Sequence, residues 1–186
     1  MDFECLRPFD SLLTPTLNSE PHGDSALPPL YQTAYFAQMG RDANFIHSIP
    51  NAWMASTPFH PFFMLSLHAI PIEHQKTVEE ETGPIALRAQ IQRYDNEFKH
   101  GAELLPYLRT LNTNHAYFDE YDLRHSITMF STDVIYPLAW NGDNVPEGCR
   151  EICHVRGSLF DREACKEGLR VWERGAHCIT YWTHTW

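Results

Sequence analysis

The two ends of the chain carry the residues with the clearest chemical use. Near the start, Asp2 precedes Phe3-Glu4-Cys5-Leu6, and the segment turns at Arg7-Pro8. At the other end, His184 lies within Tyr181-Trp182-Thr183-His184-Thr185-Trp186. A carboxylate and an imidazole are ligand types that hold Mn²⁺ or Mg²⁺ against phosphate oxygens. If the last residues alternate as a strand, Trp182, His184 and Trp186 share one face and the imidazole sits between two indoles. Taken alone, Asp2 is a terminal residue and His184 a solvated tail residue. Taken as one metal site, they are expected to meet in space although they lie at opposite ends of the sequence.

Five cysteines (Cys5, Cys149, Cys153, Cys165, Cys178) leave at least one unpaired. Cys149, Cys153 and Cys165 hold a disulfide in an oxidising lumen, or are three thiols. Recruiting His154 or His177 into a zinc site matches no standard ligand spacing. His60 reads as a structural residue at a helix start. His22, His47, His68, His74, His100, His115 and His125 show no metal spacing and read as surface residues. Trp53 and Trp140 read as core.

With 14 basic against 24 acidic residues, the formal charge is −10, and no basic cluster suits a nucleic-acid backbone. At 186 residues with 43% apolar content, the chain can build one globular domain, here taken as residues 1–186. No stretch reaches the roughly 18 to 20 uncharged apolar residues of a membrane span. Nor does the start have the basic-then-apolar layout of a signal peptide.

The elements that must position these residues are short. Residues 14–30 are rich in Pro, Ser and Asn and read as an irregular loop. The stretch 31–40 suits a strand, and 49–56 a second one with Pro50 at its start, which places Asn51 in an apolar strand that must satisfy its amide. His60-Pro61 opens a helix to Ile70, and Thr82-Gly83-Pro84 opens another, with Pro84 in the first turn and Thr82 available as a cap. A weak helix is expected around residues 104–111. Strands are expected at 127–130 and 134–136, a helix within 161–174, and a terminal strand at 176–182. Strands alternating with helices give an α/β domain.

Several of these pieces together resemble glycosyltransferase family 32, the Asp-x-Asp sugar transferases that include fungal mannosyltransferases. They are Asp2-Phe3-Glu4-Cys5-Leu6-Arg7-Pro8, then Ile49-Pro50-Asn51-Ala52-Trp53-Met54-Ala55-Ser56 with His60-Pro61-Phe62. Glu81-Thr82-Gly83-Pro84, Ile135-Tyr136-Pro137-Leu138-Ala139-Trp140 and the final Tyr181–Trp186 segment follow in the family's order. None is specific by itself; the succession spans almost the whole chain.

The resemblance implies a GT-A-like fold lacking most of its N-terminal nucleotide-binding half, a nucleotide-sugar donor such as GDP-mannose, and Mn²⁺ or Mg²⁺. It also implies a glycan or sphingolipid acceptor and a Golgi lumenal setting. Carried over by position, Asp2 binds the metal, His184 the metal or the diphosphate, and Asn51, Ser56, Trp182 and Trp186 face the donor sugar. Gly83 and Pro84 shape the acceptor side. The family's upstream Gly-Gly-x-Tyr stretch and first Asp are not in this sequence, and Phe59 stands where a Gly before His-Pro is common. On this reading Met1 is the middle of the motif, and the chain as given is expected to be inactive. The alternative is a catalytically dead fragment, or a module that binds glycans through Trp182, Trp186 and nearby aromatic residues.

Overall fold

A computed structural model describes residues 3–13, 31–58, 60–70, 76–98 and 124–182. They form a mixed α/β protein with two small sheets. One sheet pairs β1 (Phe3–Cys5) with β5 (Cys178–Thr180); the other has the order β3-β2-β4, with β2 at Tyr31–Ala37, β3 at Ala55–Ser56 and β4 at Arg124–Phe130. Two compact units result: residues 1–12, 37–53 and 129–186, and residues 13–36 and 54–128. The irregular loop expected at 14–30 and the weak helix near 104–111 lie outside the described residues.

The first unit is organised by its end strands. β1 and β5 run antiparallel with Phe3 opposite Thr180, Glu4 opposite Ile179 and Cys5 opposite Cys178. Alternation along the pair sends successive side chains to opposite faces, and each face meets its own core. On one, Phe3 and Cys178 pack with Ala37, Met39, Ile135, Tyr136 and Ala139. On the other, Ile179 joins Leu138, Leu169, Val171, Tyr181 and three cysteines. Two of those, Cys153 and Cys165, form a disulfide that links α6 (Arg150–Cys153) to α7 (Arg162–Gly168).

Three expectations about this unit need correction. Val134 and Ile135 are helical rather than extended, and Tyr136 caps their helix: α5 (Thr132–Ile135) is held by Thr132 Oγ1 donating to the Tyr136 carbonyl at 2.9 Å, by the Arg174–Asp133 ion pair and by the His177 N–H donating to the Val134 carbonyl at 2.8 Å. The contacts from Arg174 and His177, distant in sequence, override the β preference of Val134 and Ile135. The terminal strand spans only Cys178–Thr180, and Trp182 beyond its end has a positive φ of 51°, outside the extended region that alternation requires. And Trp140 is not core but 55% exposed.

In the second unit β2 lies between two neighbours, so Gln32 to Phe36 are buried on both faces instead of alternating. Of the strand expected at 49–56, whose first five residues belong to the first unit, only Ala55–Ser56 is extended. Pro50-Asn51 starts a turn, as that pair favours, and Asn51 is exposed rather than set in an apolar strand. The helix at His60-Pro61 is present as α2 (Pro61–His68), with Pro61 in its first turn and the His60 ring as its cap.

Two short helices meet at Gly83. α3 (Val78–Glu81) begins with a capping box between Thr77 and Glu80, and α4 (Pro84–Arg93) follows at once. Thr82 does not cap α4. Its hydroxyl donates back to the Val78 carbonyl at 3.3 Å, at the end of α3. Gly83 is required sterically, since a Cβ there would lie 2.6 Å from the Glu79 Cα. A π-helical turn, Tyr94–Phe98, continues α4.

Candidate functional site

Neither Asp2 nor His184 is among the described residues, and Trp186 also lies outside them. What the structure does describe is the frame from which these ends continue. The strands that lead to them pair side by side, and the turn after β1 is fixed by a dense set of bonds. His177 accepts the Leu6 and Arg7 N–H groups at its carbonyl, at 2.8 and 3.2 Å. Its Nδ1 lies 2.8 Å from the Pro8 carbonyl oxygen, and its own N–H donates to Val134 at 2.8 Å. The Arg7 guanidinium donates to the Trp172 carbonyl at 2.6 Å and lies over the Trp172 ring. The Arg-Pro turn is thereby anchored at three points.

Glu4 stands two residues after Asp2 but is not available as a ligand. Its Oε1 accepts from Lys166 at 2.8 Å, and its Oε2 from the Tyr181 hydroxyl at 3.0 Å. Burial pushes the Glu4 carboxyl up, but the Lys166 and Tyr181 bonds outweigh it and hold the group below the usual glutamate value. Lys166, only 7% exposed, also pairs with Glu163 at 2.6 Å, and these two carboxylates keep its ammonium charged. The network joins β1, α7 and the residue after β5. Sequence reading passed over it, because Glu4, Lys166 and Tyr181 share no local spacing.

Trp182 is half-buried and fixed. Its Nε1 donates to the Leu138 carbonyl at 2.7 Å, and its ring packs on Tyr136 with centroids 5.6 Å apart. The Tyr136-Pro137-Leu138-Ala139 segment beneath it is held by buried Asn144. That amide accepts from Ala139 N–H at 2.8 Å and donates toward the Tyr136 and Pro137 carbonyls at 3.3 and 3.2 Å. Asn144 was also missed; the only local signal was its place in the polar run Asn141-Gly142-Asp143-Asn144, which reads simply as a turn. Trp53, expected in the core, is half-buried and packs against the same cluster as Tyr136.

Asn51 and Trp182 belong to the first unit, whereas Ser56, Gly83 and Pro84 belong to the second. Ser56 is exposed, its hydroxyl donating to the Thr57 carbonyl at 2.6 Å. Gly83 and Pro84 form the α3–α4 joint. In the same unit His60 is structural, as expected. It is buried, receives the Phe62 N–H at Nδ1 at 3.2 Å, and places Nε2 2.9 Å from the Ser126 carbonyl. His125 is not a surface residue. It is buried against the Tyr94 hydroxyl, because β4 carries it inward.

Among the described residues no three of His, Cys, Asp or Glu gather as a metal site, and no helix is long and apolar enough to cross a membrane. A separate aromatic cluster lies on the first unit, where the exposed Trp140 packs against Phe45 and His47 at centroid distances of 6.0 and 5.8 Å. Comparison of the chain with family models, with curated proteins and with solved structures finds no match.

Proposed function

We propose that this chain is the C-terminal portion of a metal-dependent glycosyltransferase domain of the family 32 kind, with a GT-A-like fold. On this reading it transfers a hexose, with mannose from GDP-mannose as the favoured donor, to a glycan or sphingolipid acceptor in the Golgi lumen. The observation that carries the proposal is the antiparallel pairing of β1 and β5, with Phe3 opposite Thr180. The segments holding Asp2 and His184 therefore continue from adjacent strands.

Departure of a nucleoside diphosphate leaves negative charge that a divalent cation stabilises. Asp2, with an upstream carboxylate of the Asp-x-Asp pair, and His184 would hold Mn²⁺ or Mg²⁺. Glu4 stands aside, since both its oxygens are engaged by Lys166 and Tyr181. Trp182 and Trp186 would offer indole faces to the apolar side of the donor hexose, and Asn51 and Ser56 hydrogen bonds to its hydroxyls. Gly83 and Pro84 would shape the acceptor side.

A form extended upstream through the reading frame, assayed with GDP-mannose and Mn²⁺, tests this. Mannosyl transfer that disappears on chelation and in Asp2→Ala is the expected result. Robust turnover by the 186-residue chain alone would show that the motif has been misplaced. A second reading, a glycan-binding module without transfer, is favoured by the exposed Trp140 beside Phe45 and His47. It prevails if the extended form binds glycans but neither binds Mn²⁺ nor turns over donor, and if Trp140→Ala abolishes that binding.

A further inference from the structure

We propose that Cys5 and Cys178 form a second, redox-dependent disulfide that ties the chain's two end strands together. They are register partners across the β1–β5 ladder. Their pairing class follows from the backbone: Leu6 N–H donates to the His177 carbonyl at 2.8 Å. In an antiparallel ladder, a bond from the residue after one partner to the residue before the other flanks a non-hydrogen-bonded pair. Such pairs bring their Cα atoms to about 4.5 Å, within the roughly 4.4 to 6.8 Å that a disulfide spans. Residues directly opposite also project from the same face of the sheet.

Both thiols are free, Cys5 exposed and Cys178 buried. The Cys178 Sγ rests 3.6 Å from the Ile135 carbonyl, and burial pushes its pKa up to about 12. These environments assign an order to the reaction. Cys5 meets the oxidant first. With oxidised glutathione as the oxidant class, the Cys5 thiolate attacks one glutathione sulfur, breaking that S–S bond and releasing one glutathione thiolate. Cys178 then loses its proton to solvent, rotates off the Ile135 carbonyl and attacks the Cys5 sulfur, expelling the second glutathione. Two protein thiols are oxidised and one glutathione disulfide is reduced to two thiols. The second step is slow at neutral pH and accelerates with rising pH, because little Cys178 is thiolate. The same unit already holds the Cys153–Cys165 disulfide, so conditions that maintain that bond also favour oxidising a well-placed thiol pair. The inference stands apart from the sugar-transfer reading and survives its failure.

The test is peptide mapping of the folded 186-residue chain after incubation in glutathione buffers from reducing to oxidising, followed by denaturation and alkylation. In the reducing buffer Cys5, Cys149 and Cys178 should all be alkylated. In the oxidising buffer a Cys5–Cys178 linked peptide should appear, leaving Cys149 the alkylated thiol, and the melting temperature should rise. Cys5→Ser, a change at an exposed position, should abolish both the linked peptide and the rise. The proposal is overturned if Cys5 stops at the mixed disulfide with glutathione even at alkaline pH. It is equally overturned if Cys178 links to Cys149 instead.

Discussion

His60 shows how one buried side chain sets a pH dependence. Because its Nδ1 receives the Phe62 N–H, the ring proton sits on Nε2 and is donated to the Ser126 carbonyl. A second proton would have to enter at Nδ1, against that N–H. Burial therefore lowers its pKa to about 4, with the Ser126 bond opposing and His125 adding to the effect. A histidine depressed in the folded state adds stability that is full above its unfolded value, near 6.5, and is lost as pH falls toward 4. The expected loss over that window is on the order of 3 kcal/mol, measured as the change in urea unfolding free energy. His60→Asn retains an acceptor for the cap and cannot titrate, so its curve should be flatter between those limits. An unchanged slope in the variant would assign the dependence to another group. Trp182 gives a second residue-scale expectation. Trp182→Ala should cost about 3 kcal/mol, at the low end for aromatic truncation because the ring is half-buried. Trp182→Phe keeps the stack on Tyr136 and loses the bond to Leu138, which should cost about 1 kcal/mol. If thermal melts show the two equal, packing on Tyr136 is not what holds the ring.

At the scale of elements, the α3–α4 joint is the least forgiving position. The backbone of Gly83 is ordinary in conformation, so its constraint is purely one of space. An added Cβ meets the Glu79 backbone, which cannot rotate away as a side chain would. Gly83→Ala should therefore destabilise by about 1 to 3 kcal/mol, the usual range for overpacking. Thr82→Ala, which removes only the bond to the Val78 carbonyl, should cost less than 1 kcal/mol at an exposed site. Chemical denaturation of both variants checks the ranking, and the reverse order would place the cap function back on Thr82.

At the scale of the whole molecule, the chain closes on itself in the first unit, where strands from its two ends pair. That unit draws on three separated segments of sequence, and its Cys153–Cys165 bond fastens α6 to α7 inside the core that β5 completes. Cys153→Ser with Cys165→Ser should lower unfolding free energy by about 2 to 4 kcal/mol, as for disulfides closing short loops. Cys5→Ser in reducing buffer should have almost no effect. Equal losses in the two would mean that the disulfide contributes no more than an exposed thiol.

Local chemistry in the sequence determined where several elements begin. His60-Pro61 and Gly83-Pro84 mark helix starts because proline's fixed φ and missing N–H suit a first turn whatever surrounds it. The dense apolar runs marked β2 and β4, and the terminal alternation marked the short β5. Tertiary structure alone decided the rest. Whether 134–136 was strand or helix depended on Arg174 and His177, some 40 residues away in sequence. Trp140 and His125 exchanged their expected places because burial depends on which face an element presents, and short elements carry too little periodicity to fix a face. The Glu4–Lys166–Tyr181 network, the partnership of Cys5 with Cys178 and the choice of Cys165 as partner for Cys153 are long-range pairings. No spacing along the chain encodes such partners, since they arise only when separate elements pack together.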